Sequence, residues 1–213
     1  MLVKLDADEE KGKALAEEYD VKGYPTFIVA NAAGEQIDRW WGYSRPSAFV
    51  AELDEAKADP TTIEQKVARF EENPSEEDAA TLGSIYATRG EPAEAVAYYR
   101  KAREMSGDGE YAMPLFTNTY LGHSKEELFS IEEVRGAADA VFARQEAEPE
   151  DMLVVAYRMA NLANGRDDSS LLEPYAEPAL EATEDLEDED LEGLRRDVRI
   201  AKALVLDRDP EQA

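Results

Sequence analysis

The 213-residue chain contains no cysteine, a single histidine and only 23 lysines and arginines against 49 aspartates and glutamates. Without cysteine there is no disulfide, no thiolate metal site and no sulfur nucleophile. With His123 alone, neither a multi-histidine metal site nor a Ser-His-Asp arrangement with a second base can be assembled, so His123 reads as a polar residue near a helix end. The net charge of −26 repels the phosphate backbone, which proteins bind by displacing counterions with Lys and Arg. Nucleic acid and anionic membrane surfaces are therefore poor partners. Apolar runs are short: Leu153-Val154-Val155-Ala156 falls far below the roughly 20 residues that span a bilayer. Phosphate-cradling loops are missing too, since Gly107-Asp108-Gly109 has no lysine, no third glycine and no preceding strand.

What is present suffices for one or two packed domains, because 43% of the residues are apolar. The acidic excess reads as a solvated surface, with adaptation to high salt as the alternative. Met1-Leu2-Val3-Lys4 reads as the start of a strand and not as a signal peptide. The expectation is a soluble, cytoplasmic chain, or a periplasmic or secreted one if an upstream segment carries an address.

Along the first 58 residues the pattern alternates between helix and strand. Leu15 and Tyr19 share one face of a helix over residues 9–19, and Asp20 and Gly23 supply the turn that ends it. Strands are expected at 3–6, 27–30 and 36–41. Asn31-Ala32-Ala33-Gly34 should join the last two as an antiparallel hairpin. Pro46 opens a closing helix that runs to about residue 58. Within this order, Val21-Lys22-Gly23-Tyr24-Pro25-Thr26 resembles the helix-to-strand junction of thioredoxin-like proteins. The resemblance covers roughly residues 2–58 and matches the second half of that fold. It implies a cis peptide bond at Pro25 and an extended-peptide contact formed by Tyr24, Pro25 and Thr26, against the alternative that Pro25 only shapes the turn. The front half of the family fold, with its Cys-x-x-Cys helix, has no counterpart here. Trp40 and Trp41 alternate to opposite faces of their strand, one for the core and one available as a contact.

Asp59-Pro60-Thr61-Thr62 breaks the helical pattern and offers a new cap, which places a domain boundary between residues 1–59 and 60–213. No strand pattern follows. Helices are expected at about 62–72, 76–89, 92–106, 111–122, 131–145, 150–164, 168–183 and 187–207, with Ser130 and Glu133 forming a capping box. Leu82, Gly83, Tyr86, Gly90, Ala95, Tyr99 and Ala102 fall at the spacings of a tetratricopeptide repeat, in which small residues sit where two antiparallel helices cross. The later helices keep the rhythm without the pattern, and Pro174 and Pro178 disturb it.

The fold class expected is thus α/β plus all-α: a partial thioredoxin-like unit followed by a tetratricopeptide-like helical array. Tyr86, Tyr98, Tyr99, Tyr111 and Tyr120 either line a peptide groove or fill the core, with Tyr98 the most exposed. The run 184–190 reads as a solvated helix start rather than a cation loop. No cofactor is implied. The function expected is a redox-inactive module that binds a protein or peptide. The alternative is the C-terminal part of a thiol-disulfide oxidoreductase whose Cys-x-x-Cys lies upstream of Met1.

Overall fold

A computed structural model describes residues 3–43, 45–107, 110–145 and 147–206, apart from the side chains of 189 and 190. Its residues group into two compact units, Met1–Gly107 and Asp108–Ala213.

The first unit begins with helix α1 (Glu10–Glu18), strands β1 (Thr26–Ala30) and β2 (Gln36–Trp41), and helix α2 (Pro46–Ala58). The strands pair antiparallel, Phe27 opposite Trp40 and Ile28 opposite Arg39, with a bulge between Val29 and Ala30. Asn31 shapes the hairpin by accepting from the Ala33 and Glu35 amides through its side chain, and Gly34 completes the turn at φ 86°. Helix α1 ends in a Schellman arrangement, Val21 N–H to Ala16 O and Asp20 N–H to Glu17 O, with Asp20 left-handed at φ 49°. Two contacts tie this end to the hairpin: Tyr19 Oη donates to Gly34 O at 2.8 Å, and the buried Arg39 guanidinium donates to Tyr19 O at 3.0 Å and Asp20 O at 3.3 Å.

Residues 3–6 form no strand, contrary to the alternating pattern. Val3 and Leu5 are exposed, and the sheet has only β1 and β2. A strand needs a neighbour to satisfy its N–H and C=O groups, and among the described residues none is offered to this segment.

Helices α3 (Ile63–Glu72), α4 (Glu76–Arg89) and α5 (Pro92–Ser106) complete the first unit. The expected boundary at Asp59-Pro60 falls inside it, and the joint there is tied at several points. Asp59 pairs with Arg69 at 2.8 Å and Lys66 at 3.3 Å, and it accepts from Thr61 Oγ1 at 2.6 Å. The Arg69 guanidinium beside it holds the Asp59 carboxyl well below the usual carboxylate range. Lys66, almost fully buried, donates to the Asp59 and Thr61 carbonyls. Arg69 reaches on to Asp78 in α4, and α4 packs against β2. Hairpin and helices therefore share one body.

The second unit is all-helical: α6 (Ala112–Glu126), α7 (Ile131–Phe142), α8 (Pro149–Arg166), a 3-10 turn (Ser169–Leu171), α9 (Glu173–Ala182) and α10 (Glu189–Val205). Its core joins Phe116, Val134, Leu153, Met159, Leu172 and Tyr175. Ser130 and Glu133 close the capping box of α7. The helix expected over 168–183 is divided, because Pro174 lies in the first turn of α9 and Pro178 inside it, where each lacks an amide hydrogen. Helix α6 instead runs one turn further than its pattern suggests. Arg195 closes the end of α9 by donating to the Leu186 and Thr183 carbonyls.

Candidate functional site

The Tyr24–Pro25 peptide bond is cis. Thr26 Oγ1 donates to Gly23 O at 2.6 Å, and Gly42 N–H donates to Pro25 O at 2.9 Å, so the loop is held on both sides of the proline. A Cβ on Gly23 would lie 2.9 Å from Trp41 Nε1, which shows how closely the indole covers that backbone. Tyr24 and Pro25 are exposed and Thr26 is half-buried. Tyr24 is 63% exposed, Trp41 66% and Tyr43 57%. In a chain so rich in carboxylates, three large aromatics held open around one loop form a local apolar surface.

Behind them the two tryptophans divide as strand alternation requires. Trp40 stacks on Phe27 with ring centroids 5.6 Å apart, and Phe49 of α2 meets both rings edge-on at 5.0 and 5.7 Å. Tyr43 leans on Phe49 at 6.2 Å. Trp40, Trp41, Tyr43, Ala48, Phe49 and Glu52 line a shallow cleft of about 330 Å³. Tyr43 and Phe49, not named among the site residues above, thus belong to the same surface as Trp40 and Trp41. The signal for them was the run of aromatics on either side of Gly42.

The repeat positions come together between α4 and α5. Leu82, Ala95 and Ala102 are fully buried and Tyr99 nearly so. Gly83 faces Tyr99 so closely that a Cβ there would stand 2.9 Å from three ring carbons. Tyr86 and Tyr98 are half-buried and stacked, with centroids 5.4 Å apart and planes 7° from parallel. Tyr98 also meets Phe70 edge-on at 5.6 Å, and Lys101 lies over both Phe70 and Tyr98. Tyr98 is thus more exposed than the buried Tyr99 and Tyr111, yet both of its neighbouring rings pack on it. Burial raises the pKa of Tyr86, Tyr98 and Tyr99.

In the second unit Tyr111 is buried and Tyr120 half-buried against Phe116. His123 is buried, its Nδ1 2.6 Å from Phe129 O and its Nε2 2.9 Å from Arg166. With a carbonyl on one side and a guanidinium on the other, Nδ1–H donates and Nε2 accepts, which joins α6 to α8. Glu184, Asp185, Glu187 and Asp188 lie exposed ahead of α10. Of Gly107-Asp108-Gly109, Gly107 ends α5 at φ 70°, and the other two lie outside the described residues.

Over 66 residues, 31% of its length, the chain is 36% identical to a protein disulfide-isomerase of Ricinus communis. Over 68 residues, 32% of its length, it is 37% identical to a protein disulfide-isomerase of Medicago sativa. This is a partial thioredoxin-like relationship. The chain spans 13% of the length of each of these relatives. No family model and no solved structure matches it. Among the described residues, no helix is long and apolar enough to cross a membrane.

Proposed function

We propose that this chain is a thioredoxin-related module that binds extended protein segments without thiol chemistry. The observation that carries the reading is the exposed aromatic group Tyr24, Trp41 and Tyr43 around the Pro25 loop. Aromatic side chains offer large contact area at low entropic cost, and an extended segment can lay its side chains across them. Thiol-disulfide exchange requires a thiolate as attacker, and no residue of this chain supplies one. The helices from α3 onward serve as the scaffold, with α4 and α5 packed as a tetratricopeptide-like pair around Gly83 and Tyr99.

The reading is tested by titrating the chain with an unfolded, cysteine-free polypeptide while following tryptophan fluorescence. Saturable binding is expected, and Trp41→Ala should weaken it about tenfold, the loss of one exposed aromatic anchor. Unchanged affinity in Trp41→Ala would remove the aromatic group from the site.

A second reading is favoured by the partial match to protein disulfide-isomerases and by the unpaired segment 3–6. In it the chain is the C-terminal part of a thiol-disulfide oxidoreductase whose Cys-x-x-Cys lies upstream of Met1. An in-frame upstream segment encoding that motif, with insulin-reductase activity restored when it is joined to this chain, would establish it.

A further inference from the structure

Within the first unit, a cleft of about 630 Å³ opens between the end of α1, the hairpin turn, the start of α3 and the end of α4. That volume is in the range of small-molecule and peptide-end sites. Its rim is acidic: Glu18, Glu35 and Glu64 are exposed and Glu91 half-buried. Inside the rim the chemistry reverses. Gln36 is 9% exposed, and its Nε2 is buried without a hydrogen-bond partner. Its Oε1 accepts from Arg89 at 3.4 Å. Turning the amide over would set its N–H₂ against the guanidinium, so the orphaned group is a donor. Arg89 also lies over the Tyr86 ring at 5.6 Å, and among the described residues no carboxylate is paired with it.

An arginine unpaired with acid is unexpected in a chain with 49 carboxylates, and a buried donor left without an acceptor is costly. Burial and the nearby Arg89 charge lower the Arg39 pKa, and the Asp20 and Glu91 carboxylates oppose them. The floor of the cleft therefore offers donors without a paired carboxylate, while its rim carries five carboxylates, Asp20 included, against the single ammonium of Lys22, which pairs with Asp20. A simple anion satisfies the floor and is repelled by the rim. A simple cation does the reverse.

We propose that the cleft binds a carboxylate carried next to positive charge, as in a basic amino acid or the C-terminal carboxylate of a peptide ending in Arg or Lys. The carboxylate accepts from Gln36 Nε2 and Arg89, and the basic groups meet Glu18, Glu35, Glu64 and Glu91. Charge-assisted pairing of a carboxylate with Arg89 makes the terminal carboxyl the stronger determinant.

The test is calorimetric titration of the full chain at low salt with four probes: L-arginine, a tripeptide ending in arginine, the same tripeptide amidated, and an acetylated tripeptide ending in alanine. The arginine-ended acid should bind, and amidation should weaken it at least tenfold. The alanine-ended acid should bind at least tenfold more weakly. Arg89→Gln should reproduce the effect of amidation. Glu64→Gln, an exposed change that leaves the fold in place, should weaken the basic acid severalfold and leave the alanine-ended acid unaffected. Equal binding of free arginine and of the peptide identifies a free amino acid as the source; tighter peptide binding identifies a chain terminus. Binding of acid and amide alike, or absence of heat for every probe at millimolar concentration, overturns the proposal.

Discussion

Glu127 ends α6 in the left-handed region at φ 55°, donating its N–H to His123 O while Leu128 N–H reaches Gly122 O. The Glu127 bond is that of a glycine-type left-handed cap, but the side chain carries a Cβ into a conformation that costs a non-glycine residue about 1–2 kcal/mol. Its charge adds a second cost, because a carboxylate sits unfavourably against the negative end of the helix dipole. Glu127→Gly should therefore stabilise the chain by about 1 kcal/mol, measured as a higher midpoint in urea with an unchanged slope. A lower midpoint would mean that the glutamate side chain makes a compensating contact. His123, one turn earlier, is held in place by Phe129 O and Arg166.

At the level of elements, the α4–α5 pair depends on how closely two backbones approach. At Gly83 the Tyr99 ring occupies the space a methyl group would need. Gly83→Ala should force the ring or the helices apart and cost about 1–3 kcal/mol, the usual range for overpacking. Helix propensity runs the other way, because alanine in a helix interior is favoured over glycine by about 1 kcal/mol. The sign of the measured change therefore decides between packing and propensity. Stabilisation would remove Gly83 and Tyr99 from the helix crossing. Gly83→Leu should cost more than Gly83→Ala, again read from thermal unfolding.

Across the whole molecule, stability should be unequal. Among the described residues, no backbone hydrogen bond is donated by residues 3–6, while Ala79, Leu82, Ala95 and Ala102 are fully buried on paired helices. The hairpin has two strands, and its aromatic face is only half-buried. Hydrogen exchange should accordingly find the amides of 3–6 nearly unprotected, those of β1 and β2 intermediate, and those of 79–102 strongly protected. Strong protection at 3–6 equal to that of α4 would show that this segment pairs as a strand in solution, with a second chain or after rearrangement.

Local chemistry in the sequence determined the elements that carry their own signals. Asn31 and Gly34 made the hairpin, Ser130 and Glu133 capped α7, and Leu82, Gly83, Ala95 and Tyr99 spelled the α4–α5 crossing. Alternation likewise separated Trp40 from Trp41, because neighbouring residues on a strand face opposite ways. Tertiary structure alone decided the rest, since it depends on partners remote in the chain. Residues 3–6 have a strand's alternation but no neighbour among the described residues, so they form none. The break at Asp59 looked like a boundary because a proline and a cap mark it, yet Lys66 and Arg69 tie it to α3 and α4, inside the compact unit that also holds the hairpin. Gln36 and Arg89 lie 53 positions apart, and nothing in the neighbourhood of either predicts that folding brings an orphaned amide and an acid-free guanidinium to the floor of one acidic cleft.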